Sequence, residues 1–301
     1  VRDQFALRPD KIHMTSFLLS PQSKPVRDAI ATHRAGLDED TVDYLHSNQT
    51  RLEANVLVAA ASYLGVNARD IALTGSTTEG LGLVYGALQL REGQEILQST
   101  HEHYSTDVSL QLRAERDGVV VHKIPLYEKI QNVTADEIVD SITQKITEKT
   151  RLVALTWVHS STVLKIPIRA IADALREINA NRADEDRTLL SIDGVHGIGI
   201  EDVTLPQLGC DFFIAGTHKW LYGPRGTGMI WANPDAWRWA HATIPTFDST
   251  AYRVWMRVIP PQNIPMAAQM TPGGFHAFEH RWALNEAFNF HEALGKDRVE
   301  Q

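Results

Sequence analysis

The sequence predicts an α/β fold with a mostly parallel central sheet flanked by helices, on three observations. Short apolar runs alternate with amphipathic stretches of about 10 to 15 residues along most of the chain, the pattern of βαβ units. The apolar runs are continuous rather than alternating, as in strands buried on both faces. The polar clusters fall just past the carboxyl ends of those runs, where sheets of this kind bind ligands.

Taken in order, residues 1–20 read as an arm punctuated by Pro21 and Pro25, and Val26 to His33 begins the first helix. A second helix covers Thr50 to Leu64, with Gly65 at its C-cap. Ile71 to Thr74 is a strand, and Gly75 to Gly80 opens a helix running to Leu90. Strand Glu95–Gln98 is followed by helix Ser105–Arg116, and the β-branched run Val119–Ile124 is a further strand. Thr134 and Glu137 have capping-box spacing and open a helix to about Glu148. Strand Leu152–Trp157, helix Ile168–Asn179 and strand Leu189–Ile192 follow, with Asn181 to Arg187 read as a charged loop and nothing more. Phe212–Ala215 and Gly228–Trp231 are the last strands, and Trp282 to Leu294 is helical. Residues 21–290 thus form one large domain, and 291–301 begin a linker.

With 301 residues, 43% hydrophobic and 22% charged, the chain can bury a sizeable core. The net charge of −8 is spread without a basic stripe, so no nucleic-acid partner is expected. No run of about 18 apolar residues occurs, so no transmembrane helix and no membrane partner are expected. The single cysteine, Cys210, reads as an inert core residue at a strand entry.

Four clusters carry possible chemistry. Ser76, Thr77 and Thr78 follow a strand and open a helix, so amides and hydroxyls converge on one spot. That is either a phosphate site or an ordinary N-cap. His101-Glu102-His103 is a stacking surface for a planar cofactor, a metal-ligand pair, or a solvated loop; no further ligand cluster supports a metal. Asp193 ends an apolar strand, where an unpaired carboxylate is costly. It needs a partner, either an arginine or a protonated ring nitrogen, and His196 beside it could donate a hydrogen bond. Lys219 lies between a buried run and Trp220-Leu221-Tyr222, where desolvation makes an amine nucleophilic enough to form an imine. Thr217 and His218 could add phosphate contacts.

Together, Gly75 to Gly80, Glu102-His103, Asp193-Gly194-Val195-His196 and Gly216-Thr217-His218-Lys219-Trp220 resemble the class V aminotransferase family. These are fold type I enzymes of pyridoxal 5'-phosphate. The resemblance implies that Lys219 bonds the cofactor as a Schiff base and that Asp193 pairs with its pyridine nitrogen. His103 then stacks on the ring, and Ser76, Thr77, Thr78 and His218 hold the phosphate. His196 stands near the phenolic oxygen where desulfurases carry glutamine, and Thr162 where many relatives carry asparagine. Thr271 lies in a segment similar to one that reaches the neighbouring subunit's phosphate, implying a homodimer with shared active sites. Histidine at 196 and the Thr-His-Lys-Trp run are most similar to the isopenicillin N epimerase-like branch. That branch includes epimerases, carbon–sulfur lyases and a periplasmic enzyme tailoring the siderophore pyoverdine, toward which residues 74–80 and 102–105 lean.

The expected function is chemistry at the amino-bearing carbon of an amino acid or peptide-like amine. Cys210 does not match the desulfurase nucleophile. A missing C-terminal small domain carrying the carboxylate-binding arginine is a further expectation; the location is periplasmic if an export leader was removed and otherwise cytoplasmic. Without that domain, a cofactor-binding protein lacking catalysis is the alternative. A hydrolase or nucleotide binder is disfavoured, since neither a Gly-x-Ser-x-Gly elbow nor a Walker loop occurs.

Overall fold

A computed structural model describes residues 1–301. After the arm come helices α1 (Lys24–Glu39) and α2 (Thr41–Leu64), then β1 (Ile71–Thr74), α3 (Thr77–Ala87), β2 (Glu95–Ser99), α4 (Tyr104–Asp117) and β3 (Val120–Ile124). The chain continues through α5 (Ala135–Thr143), β4 (Thr150–Thr156), α6 (Ile168–Asn179), β5 (Leu189–Asp193), α7 (Leu205–Leu208), β6 (Phe212–Gly216) and β7 (Gly228–Ala232). It closes with α8 (Ser249–Trp255), α9 (Met266–Met270), α10 (Phe278–Leu294) and α11 (Lys296–Glu300).

The seven strands form one sheet in the order β1-β7-β6-β5-β4-β2-β3. Only β7 is reversed, pairing antiparallel with both β1 and β6. All other strands therefore end on the same edge. Successive strand residues serve opposite faces: Leu190, Ile192, Phe213 and Ala215 enter one apolar core, and Leu189, Phe212 and Ile214 the other. Two covered faces are why the runs read as continuous apolar segments. Helix α10 packs on α1 and α2 and runs unbroken across residue 290.

Several helix ends differ from the sequence reading, each for a tertiary reason. Helix α2 begins at Thr41, not Thr50, because Asp40 ends α1 and caps α2, its carboxylate accepting from the Asp43 amide at 3.0 Å. Helix α5 stops at Thr143, since the Thr147 amide bonds the Thr150 hydroxyl and turns the chain into β4. Thr134 does accept from the Glu137 amide, but the Glu137 carboxylate bonds the Glu128 amide, so the capping box is half made. The 181–187 loop is more than a charged loop. Arg182 donates to the Thr150 carbonyl and the Thr188 hydroxyl, tying the start of β4 to that of β5.

Helix α3 matters most for the site, because its amino end opens there. It ends at Ala87, short of Leu90, without a glycine cap. Its last carbonyls are instead met by the buried guanidinium of Arg113 on α4, which reaches Tyr85 O at 2.8 Å, Gly86 O at 2.7 Å and Leu88 O at 2.8 Å. Asp117 balances that charge at 2.6 Å. Replacing Arg113 strands the carbonyls at the end of α3, while Asp117 keeps its pair with Arg116 at 2.9 Å. Arg113→Met should lower unfolding stability by about 3 kcal/mol, read as a lower urea midpoint at unchanged slope.

Candidate active site

Five strand carboxyl ends surround one cavity. The loop after β1 contributes Ser76, Thr77 and Thr78, and the β2 end His101 and His103. Thr156 and Ser160 follow β4, Asp193 and His196 follow β5, and His218 and Lys219 follow β6.

The amino end of α3 is built by Ser76-Thr77-Thr78-Glu79. The Ser76 hydroxyl accepts from the Glu79 amide at 3.1 Å, and the Glu79 carboxylate accepts from the Gly75 amide. The first-turn amides of Thr77 and Thr78 are left without helical partners, and the helix dipole adds partial positive charge there. The two threonine hydroxyls also fasten the helix in place. Thr77 Oγ1 accepts from the Gly216 amide at 2.8 Å, fastening α3 to β6, and Thr78 Oγ1 bonds Ser105 Oγ at 2.8 Å, fastening it to α4. Thr77 accepts in its bond and so keeps its own O–H to donate, beside the backbone amides of the anion cradle. A histidine stands beside it: His218 Nδ1 is buried with no partner.

His103 caps α4, its Nδ1 accepting from the Ser105 amide at 3.2 Å. Burial and then Lys219 lower its pKa, so the ring is neutral near pH 7.

Asp193 is 2% exposed, and its only hydrogen bond comes from the Val195 amide at 3.1 Å. Burial pushes its carboxyl up to about 6, against the pull of that amide and of Lys219. The turn beneath it needs glycines. A Cβ on Gly194 would overlap the Phe213 ring and one on Gly197 the Trp157 ring. Lys219 Nζ lies 3.2 Å from His196 Nε2. Burial lowers the lysine's pKa while Asp193 opposes, and burial followed by Lys219 and His103 holds His196 down to about 4. The carbonyl of His218 accepts from both the amide and the hydroxyl of Ser20, each at 3.0 Å, so the arm straps the lysine loop.

Three sequence candidates are not brought into this cavity. Thr217 is fully buried, its hydroxyl 2.5 Å from that of Thr227. Thr162 turns its hydroxyl to the Leu164 amide at 3.4 Å; of the three hydroxyls in Ser160-Ser161-Thr162, Ser160 lines the cavity instead. The loop closes through Val163 at φ 59°, with its amide on the His159 carbonyl, so the first hydroxyl rather than the third stays at the strand end. Thr271 lies on another face, its hydroxyl accepting from the Leu73 amide at 3.1 Å and donating to the Ala267 carbonyl at 3.3 Å.

Glu102 and His159 meet beneath the cavity, a pairing that no sequence spacing announces. The Glu102 side chain is 1% exposed, accepts from Ser99 Oγ and Thr156 Oγ1 at 2.6 Å each, and is pushed up to about 7 by burial, against those donors and with Asp193 raising it further. His159 Nε2 lies 3.9 Å away. His101 lines the cavity as His103 does, with its ring stacked on Tyr127 at 4.9 Å.

A cradle of amides with an unpartnered histidine, a buried carboxylate with one bond, and a desolvated amine fit a phosphorylated, cationic ring carrying an aldehyde. Fold and cavity thus define an α/β chain that brings a buried acid and a desolvated amine to the ends of adjacent strands. Residues 32–246 match the family model "Aminotransferase class-V", and the chain belongs to that family. Isopenicillin N epimerase of Amycolatopsis lactamdurans is 28% identical over 232 residues, 76% of this chain and 56% of the relative. A cysteine desulfurase of Enterobacter sp. (strain 638) is 30% identical over 195 residues, 64% of this chain and 45% of that one. The chain spans about half the length of these curated relatives. In fold it resembles a C-DES mutant with glycine covalently linked to its PLP cofactor, with a TM-score of 0.84 at 20% identity over 100% of this chain and 76% of that one.

The raised carboxyl of Asp193 has a stability consequence in cofactor-free protein. The folded chain holds this proton more tightly than the unfolded chain, so its contribution is full below about pH 4 and is lost as pH rises through about 6. Asp193→Asn removes that loss. Its stability relative to the parent should improve by about 1.5 kcal/mol from about pH 5 to about pH 8, measured by urea unfolding at both.

Proposed function

We propose that the cavity seats pyridoxal 5'-phosphate and that the chain is the cofactor-holding part of an enzyme acting at the amino-bearing carbon of an amino acid or peptide-like amine. The observation that carries this is the meeting of Lys219 and Asp193, both desolvated, at the ends of adjacent strands β5 and β6, across from the amino end of α3. Family membership and the PLP in the C-DES relative support it. When bound, the cofactor supplies an electron-withdrawing ring that stabilises negative charge beside the substrate nitrogen.

The residues divide the remaining work. The Thr77 and Thr78 amides, with Ser76 and His218, would hold the phosphate by directed donors and the helix dipole. Asp193 would accept the ring nitrogen's proton-bearing side, and a cation there offsets the cost of burying its charge. His103 would cover one face of the ring and limit water above it. Lys219, whose pKa burial lowers against the pull of Asp193, can as the free amine accept a proton at Nζ and return it. His196 would offer a donor to the cofactor's oxygen. The finer reading, a siderophore peptide as substrate, is supported by the likeness of residues 74–80 and 102–105 alone. Epimerisation or carbon–sulfur cleavage of the desulfurase kind is the second reading, favoured by the epimerase and desulfurase relatives named above.

The same proposal includes a homodimer. Ile244, Phe247, Tyr252, Trp255 (73% exposed), Met256 and Phe275 (85% exposed) leave apolar side chains on the surface. The Gly273 amide bonds the Pro245 carbonyl at 2.8 Å, joining this segment to the Thr271 turn.

Two measurements test these readings. Lys219→Ala should abolish the near-visible absorbance formed with pyridoxal phosphate, the borohydride-fixed adduct and turnover together; a fixed adduct retained in that variant removes the lysine assignment. Trp255→Glu should convert a dimeric species to monomer in sedimentation, with the circular dichroism spectrum unchanged.

A further inference from the structure

His196 touches two neighbours through its two ring nitrogens, and together they decide where its proton sits. The indole Nε1–H of Trp220 donates to Nδ1 at 3.1 Å. An indole nitrogen is a donor only, so Nδ1 must accept, and the single proton of a neutral imidazole must lie on Nε2. Nε2 is in turn 3.2 Å from Lys219 Nζ. An Nε2–H can only donate, so Nζ has to accept, which an amine does only as neutral –NH2. An ammonium would set two N–H groups against each other.

We propose that Trp220 is a positioning residue acting through His196: it pins the imidazole in the Nε2–H tautomer, which keeps Lys219 as the free amine and points a fixed donor into the cavity. The consequence for reactivity rests on Lys219 being the reactive amine; the tautomer stands whatever the cavity binds. Burial supports the arrangement by holding His196 neutral near pH 7, with a pKa of about 4. The other titratable groups facing Lys219 are Asp193 on β5, His103 at the start of α4 and His218 beside it. Of these only Asp193 favours the ammonium. His103 already accepts at Nδ1 from the Ser105 amide and is neutral near pH 7, so it offers no negative charge. Glu102 lies behind Asp193 and is itself held protonated by burial up to about pH 7.

Simple packing is the competing role for Trp220, a half-buried ring tilted against His196 with centroids 6.4 Å apart. Phenylalanine would keep such packing and lose only the N–H. In cofactor-free protein labelled with acetic anhydride, the pH profile of Lys219 acetylation, read by peptide mass spectrometry, separates the two. For Trp220→Phe the Lys219 rate at about pH 7.5 should fall about tenfold, the effect of one net hydrogen bond, with the profile displaced to higher pH. In a His196→Gln background the same substitution should change nothing. In the parent protein, 15N resonances of His196, assigned by their loss in His196→Gln, should report the Nε2–H form. An unmoved profile, an equal displacement in the His196→Gln background, or a proton found on Nδ1 would overturn the proposal. Displacement as expected in a protein that forms no adduct with pyridoxal phosphate would uphold the tautomer and sink the cofactor reading instead.

Discussion

Everything at this site depends on a carboxylate buried at the end of β5 with almost nothing to hold it. Asp193 has one amide for company and a carboxyl pushed up to about 6 by burial. A protein keeps such a group at a cost of desolvation that only a cation can offset. The lysine at the end of the neighbouring strand does so only in part, because it is desolvated as well and tied to a histidine donor. The cavity thus holds an acid that lacks its base, the partner that the proposed cofactor's ring nitrogen would supply. In the parallel register of β5 on β6 Asp193 stands opposite Ile214, and Lys219 follows in the loop after β6. The two glycines after Asp193 let the turn settle against Phe213 and Trp157 closely enough to seal the floor.

What could be read from the sequence follows from how local each feature is. Strands such as Ile71–Thr74 and helix Ile168–Asn179 match to the residue, because their apolar periodicity is decided by the faces they bury. Helix ends set by distant groups were not legible. Nothing near Leu88 announces that Arg113, some twenty-five residues on, will cap α3, and nothing before Thr50 shows that Asp40 serves two helices at once.

The site divides along the same line. Asp193, His196, His218 and Lys219 were legible because burying a charged or ionisable ring side chain at the end of an apolar run is costly unless something there binds it. Hydroxyls were not. Ser160 and Thr162 present the same chemistry two residues apart, and only the left-handed turn at Val163 decides which one faces the cavity. Thr217 looks identical in sequence to a phosphate donor, yet spends its hydroxyl inside the fold. The Glu102 carboxyl is a middle case: its buried bonds to Ser99 and Thr156 join residues that no spacing rule connects.

One distinction separates this site from a merely complementary hole. A buried lysine could be held as an ammonium by the nearby Asp193, and it would then bind anions well and react with aldehydes poorly. The two effects opposing that outcome differ in kind. Desolvation is general and would act on any amine placed there. The Trp220–His196–Lys219 chain is directional, since a donor-only indole sets the sense of every hydrogen bond after it. Under that proposal Asp193 is left ionisable for a ring cation rather than neutralised by its neighbour, and Lys219 is kept as an amine that can react. Backbone amides do the same for the phosphate, attracting an anion at the α3 end without placing a second full positive charge near Lys219.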